Sequence, residues 1–190
     1  SVTAGGYVGG ILAEIPNNSA CNVLIESCFN TGTLTATNQT EDQHIGGIVG
    51  MGFDRILNCY HAGTLEAGST SGRSYRGGIL GYVAKGTGAA TLAHNYSVQS
   101  ASLSVGGHAE DAVLADDTTL MLASFMKEES FVDTLNRYEK PVSLYQVTFA
   151  MDSKAENDGY PVIGELEKIK NYNAAITAFS LNGRLGVIDQ

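Results

Sequence analysis

Ile25-Glu26-Ser27-Cys28-Phe29-Asn30-Thr31-Gly32-Thr33-Leu34 aligns without a gap on Ile56-Leu57-Asn58-Cys59-Tyr60-His61-Ala62-Gly63-Thr64-Leu65, an offset of 56 − 25 = 31 residues. A worn third copy runs Leu92-Ala93-His94-Asn95-Tyr96-Ser97-Val98. Apolar, Cys/Asn and aromatic positions agree through all three, and Gly through the first two, which marks an internal repeat. A second half-motif alternates with the first: Gly9-Gly10-Ile11-Leu12, Gly46-Gly47-Ile48-Val49 and Gly77-Gly78-Ile79-Leu80, with a final Gly106-Gly107 lacking the apolar pair. The glycine pairs are spaced 46 − 9 = 37, 77 − 46 = 31 and 106 − 77 = 29 residues apart.

Each unit holds short strand-like apolar stretches separated by glycine-containing corners, with no run of helical periodicity. A unit this short cannot bury its own apolar face and must stack on the next copy, which also satisfies its backbone groups. The spacing predicts an all-β fold, a right-handed parallel β-helix (β-solenoid) of about four rungs. Three inner ladders follow: Ile11/Ile48/Ile79, Ile25/Ile56/Leu92 and Cys28/Cys59/Asn95. The glycines are expected at corners with positive φ or where rungs pack closely. Length differences at Asn38 to Gln43 and Gly68 to Ser74 are expected as loops on one side.

Composition divides the chain of 190 residues. Residues 1–107 hold 19 of the 23 glycines, leaving 4 beyond. A net charge of −9, from 11 basic and 20 acidic residues, argues against nucleic acid and anionic lipid as partners. No apolar run reaches the ~18 residues of a spanning helix, so no membrane insertion is expected. Ser1-Val2-Thr3-Ala4-Gly5 carries neither a basic region nor an initiator Met and reads as part of a mature or excised chain. Three parts are expected: repeats over 1–107, a small α+β C-terminal cap over 108–171 against open strand edges, and a linker with the start of a truncated sandwich over 172–190. In the cap, the spacing of Met121, Phe125, Phe131 and Leu135 predicts one or two short helices between about Thr118 and Arg137. Asp116-Asp117 would begin it, and Asp117 or Ser124 would cap a helix. Val142 to Ala150 reads as a strand, and Asn157-Asp158-Gly159 as a tight turn.

The alternation of Gly-Gly-Ile/Leu-Val-Gly with Asn-Cys-Tyr-x-x-Gly-Thr-Leu resembles the GLUG repeat of bacterial surface proteins, over about residues 5–107. Ser124 to Asn136, with Phe149, Asp152 and Asn157 to Val162, is similar to the segment that closes such arrays. Ile176 to Asp189 resembles the opening strands of Ig-like or cadherin-like modules. The resemblance implies an extracellular or cell-surface protein. The same repeat occurs in some IgA-cleaving metallopeptidases, but His44, His61, His94 and His108 carry no HExxH or other zinc spacing.

The remaining candidates each have a bland reading. Cys28 and Cys59 would be ladder neighbours near enough to bridge, yet Asn95 in the third copy favours a small inert core residue; Cys21 leaves an odd count. His61, aligned with Asn30 and Ser97, reads as a surface histidine on an outward polar face. The repeat-region acids, Glu14, Glu26, Glu41, Asp42, Asp54 and Glu66, share no ladder position, so no catalytic pair emerges. Asp152, Glu156, Asp158 and Glu165 form the densest acidic cluster, but Lys154 at the first ligand position defeats an EF-hand. A looser calcium site is the alternative to a plain turn. Tyr7, His44 and Tyr75, with Ser104 ending the series, would stack on sugar rings or pack among themselves, and packing is preferred.

Together these readings give a non-catalytic adhesin, ligand-display or scaffold segment, a monomer with no cofactor and no assigned catalytic, metal or ligand-binding residue. Its partner would be a host or bacterial surface protein or glycan. The alternative is a carbohydrate-active module that binds or cleaves polysaccharide.

Overall fold

The computed structural model describes residues 1–16, 23–68, 71–85, 89–138, 145–168, 179–181 and 184–186. It is built mostly of short strands paired in parallel, in tiers. The first tier comprises β1 (Val2–Ala4), β2 (Tyr7–Gly9), β3 (Leu12–Glu14), β4 (Leu24–Glu26) and β5 (Phe29–Asn30). The second comprises β6 (Leu34–Ala36), β7 (Gln43–Gly46), β8 (Val49–Gly52), β9 (Arg55–Leu57) and β10 (Tyr60–His61). The third comprises β11 (Leu65–Ala67), β12 (Ser74–Gly77), β13 (Leu80–Val83) and the long β14 (Ala90–Val98).

Pairing follows the sequence alignment. Ile25 faces Ile56 and Ile56 faces Leu92, all buried. Leu34 lies between Val2 and Leu65, and His44 between Tyr7 and Tyr75. Ile11 N–H donates to Ile48 O and Ile48 N–H to Ile79 O, each at 3.0 Å. Ile48 and Ile79 are fully buried, whereas Ile11, in the first tier and with no further strand beside it among the described residues, is 46% exposed.

Parallel pairing continues past residue 107. Val105 bridges Leu80, His108 bridges Val83, and β15 (Leu114–Met121) runs beside β14. Thr118–Met121 is therefore extended, not helical, and Asp116-Asp117 sits within a strand instead of starting a helix. The free edge of β14 needed backbone partners, and that demand outweighs the apolar spacing of Met121 and Phe125. Phe125 begins a 3-10 turn, Phe125–Lys127, and is exposed. Ser124 precedes that turn without a side-chain capping bond.

The single α-helix among the described residues, α1 (Glu129–Asn136), buries Phe131, Val132 and Leu135. It packs with the antiparallel pair β16 (Tyr145–Ala150) and β17 (Val162–Lys168). These elements lie against the side of the tiers, not across an end as expected. Phe131 meets Tyr60 and Tyr96 edge-on at 5.6 and 5.2 Å, Tyr60 stacks on Phe29, and Phe149 and Tyr160 join the same cluster. The aromatic column Phe29/Tyr60/Tyr96 would otherwise face water, and its burial gives this placement its driving force. Asn157 ties the flank down: its Nδ2 donates to Tyr60 Oη at 3.3 Å and to Pro161 O at 3.0 Å, and Thr31 Oγ1 donates to its Oδ1. Residues 142–144 of the expected strand, and most of 172–190, lie outside the described residues; within the latter, β18 (Phe179–Leu181) and β19 (Arg184–Gly186) pair antiparallel.

The glycines were expected at positive-φ corners or where rungs pack closely, and they do not make the corners. Instead Ser27, Asn58 and His94, aligned in the three copies, adopt φ of 51°, 51° and 53°, and Gly159 is the only positive-φ glycine among the described residues. Asn tolerates this region better than most residues. The glycines of the repeat take the second of the two expected roles, close approach. A Cβ on Gly46 would lie 2.6 Å from Gly81 N, and one on Gly10 would lie 2.7 Å from Asn30 Cβ.

Candidate functional site

Two features read separately in the sequence come together on one face. Strands β7 and β12 carry His44 and Tyr75, and each is entered from one of the two length-variable loops. Tyr7 stacks on His44 at 5.2 Å with 3° between planes, and Tyr82 stacks on His44 at 4.6 Å. Tyr75 leans on both His44 and Tyr82. His44 is 8% exposed at the centre of this column, while Tyr7 at its end is 40% exposed. Burial pulls the His44 imidazole below its ordinary pKa, against a smaller upward pull from Asp42. The rings thus pack on one another, and Tyr7 at the end of the column is the most exposed of the four. Packing, preferred from the sequence, is what the column does.

The loops stack on one another beside it. Arg73 N–H donates to Asp42 Oδ1 at 2.8 Å, and Ser71 donates to Gln39 O through both N–H and Oγ. Asn38 Oδ1 accepts from the Thr40 and Glu41 amides in an Asx turn, and Asn38 Nδ2 donates to Glu41 Oε2. Arg73 reaches Tyr75 Oη at 3.3 Å, which links loop to column. A tall, polar, inter-bonded surface results.

Three carboxylates of the repeat region hold neighbouring copies together. Asp54 Oδ2 accepts Val23 N–H, Asp42 accepts Arg73 N–H, and Glu66 Oε2 accepts from Thr35 Oγ1. All three carboxylates tie residues 31 apart. Asp152 accepts the amides of Glu156, Asn157 and Gly159, and these bonds, led by Gly159, hold its carboxyl below the usual range. Its oxygens build the 152–159 turn. No group of three metal-ligating side chains occurs among the described residues; the side chain of Glu165 lies outside them.

Cys28 and Cys59 are free thiols at adjacent ladder positions. Their slot turns out to need an acceptor. Cys59 Sγ accepts Cys28 N–H at 3.4 Å, and Asn95 Oδ1 accepts Cys59 N–H at 2.9 Å while Asn95 Nδ2 donates to Ile56 O. Cys and Asn alternate here because both can accept, sulfur weakly and amide oxygen strongly. Burial pushes the Cys59 thiol well up, which makes it an unreactive core group.

His61 overturns its expected surface position: it is 0% exposed, as is Ser97. The reason is Gly47, which has no side chain where the imidazole lies; a Cβ there would strike the ring and Gly78 O. His61 Nδ1 sits 3.2 Å from both Asn30 Nδ2 and Asn30 O. Nε2 is buried with no hydrogen-bond partner among the described residues. Desolvation pulls its pKa down to about 4. The alignment of His61 with Asn30 and Ser97 suggested polarity; only the glycine opposite it carried the burial signal. Comparison with family models, with curated proteins and with solved structures gives no match.

Proposed function

We propose that the tiers form a parallel β-solenoid of the GLUG-repeat kind, a non-catalytic ligand-display segment of a bacterial surface protein, working outside the cell. The observation that carries this reading is the stacked pair of loops at residues 38–42 and 71–73, held to each other and to the aromatic column. Such a surface is preorganised, so recognition needs little ordering of the protein. The variable, polar residues stand on loops while the tiers beneath repeat, which is how binding residues are commonly distributed on a rigid scaffold. The commitment of Asp42, Asp54 and Glu66 to structural bonds between copies supports the non-catalytic reading over glycoside cleavage. The reading is tested by measuring binding of the chain and of a Gln39→Ala/Glu41→Ala/Arg73→Ala variant to glycan arrays and to host and bacterial cells. Loss of a wild-type interaction in the variant supports it. Equal binding by both removes the loops as the site.

A further inference from the structure

The sheet β1-β6-β11 has three strands, as do β2-β7-β12 and β3-β8-β13, and β11 is its outer edge. From Gly78 onward the third tier receives a successor: Gly78 and Ile79 donate to Leu103 O and Ser104 O, β13 is bridged by Val105 and His108, and β14 pairs β15. Over β11 the chain cuts the corner instead. The residues aligned with Gly63–Leu65 fold into the 3-10 turn Gln99–Ala101, and Ser102, at φ 67°, sends the backbone directly to Leu103.

The shortcut leaves specific groups without their repeat partners. Val2 N–H donates to Thr33 O, and Leu34 N–H to Thr64 O. The equivalent Leu65 N–H has no such bond among the described residues. Likewise Ala4 O accepts Thr37 N–H and Ala36 O accepts Gly68 N–H, while Ala67 O, next in the series, has no such partner among the described residues. A cleft of about 400 Å³ lies at this edge, walled by Gly63, Thr64 and Leu65 on one side and by Ser100 to Leu103 on the other, with Arg76 at its border. Arg76 is exposed and makes no ion pair or side-chain hydrogen bond among the described residues. An exposed strand edge with unpaired groups is a template for a further strand.

We propose that this cleft binds an extended peptide segment of a partner protein, added in parallel to β11 as the missing fourth strand. The peptide donates and accepts along β11 through Leu65 N–H and Ala67 C=O. Its side chains are small, to fit between Leu65 and the Ser100–Leu103 wall, and it carries an acidic residue for Arg76. Ser74, at the end of the 68–74 loop, also lines the cleft, but the proposal does not rest on ligand binding by the loops.

The probe is a capped peptide with the chain's own strand sequence, AGTLEAG of residues 62–68, which holds the in-register pattern and one carboxylate. Titration into the ¹⁵N-labelled chain is expected to shift the Leu65 amide and slow its hydrogen exchange by about tenfold or more at saturation. Methylating alternate peptide nitrogens, which leaves the protein untouched, is expected to abolish both effects. Ser100→Trp, which fills the exposed wall, and Arg76→Glu are each expected to weaken binding by about tenfold or more. An unshifted Leu65 amide, or binding indifferent to N-methylation and to Ser100→Trp, overturns the proposal. So does occupation of the cleft by glucuronic acid without the peptide, or concentration-dependent self-association that covers Leu65 in its absence.

Discussion

His44 and His61 occupy the same tier, and each stands in a ladder of aligned residues, yet they meet opposite surroundings. His44 is held between aromatic rings on an outer face. His61 lies inside, between Asn30 and Ser97, in space that Gly47 leaves open. The lesson is that the residue's own type says little about what packs on it; what faces it across the tier decides.

Filling that space tests the contrast hardest. Gly47→Ala is expected to lower unfolding stability by about 3 kcal/mol or more, because backbone and ring must both move. Gly5→Ala, whose Cβ would meet nothing within 4 Å, is expected to stay within about 0.5 kcal/mol. Chemical denaturation of both variants distinguishes a required glycine from a tolerated one.

Acid separates the two histidines next. The folded His61 pKa of about 4 lies below its ordinary 6.5, so between those values the unfolded chain binds more protons. Stability is complete above pH 6.5 and falls as pH drops toward 4, by about 3 kcal/mol from this group. The shift on His44 acts in the same direction. His61→Asn, which copies the residue of the first tier, is expected to remove most of the acid loss, whereas His44→Gln removes the lesser part. Denaturant midpoints at pH 7 and pH 4.5 provide the check.

Asn95 offers an intermediate effect. Asn95→Ala strips the acceptor from Cys59 N–H and the donor from Ile56 O, and should cost about 2 kcal/mol. Asn95→Cys should cost less, since Cys59 performs the same task for Cys28. Equal losses would reduce the slot to a matter of size.

The outer column gives the smallest change. Tyr7→Ala removes one end ring and is expected to cost about 1 kcal/mol or less in thermal unfolding. His44→Ala, which breaks contacts with three rings, should cost more. A reversed order would mean that the column is not held by its centre.

Much of this was legible before any coordinates. The pairing of Ile25, Ile56 and Leu92, the column of Tyr7, His44 and Tyr75, and the two loops follow from alignment alone, because stacked copies place equivalent residues together. What stayed hidden depends on contacts across a tier or between unlike segments. Nothing in the sequence near Asp116 announces that β15 must cover β14. The side-on seat of α1 required knowing that Phe29, Tyr60 and Tyr96 form an outward aromatic column, and that an aligned series of aromatics needs a cover. The corners at Ser27, Asn58 and His94 carried a weak signal, one Asn in three.

The central claim is that residues one repeat apart stand side by side in parallel register, and it is tested most directly by cross-linking. Thr35 and Glu66 are paired and their side chains already touch, Oγ1 to Oε2 at 3.0 Å. In a Thr35→Cys/Glu66→Cys chain, mild oxidation is expected to form that bridge rapidly, located by peptide mapping, while a Thr35→Cys/Leu65→Cys chain, offset by one residue and facing the other way, should not bridge. Bridging of the offset pair in preference to the register pair, or of neither, would contradict the stacked arrangement.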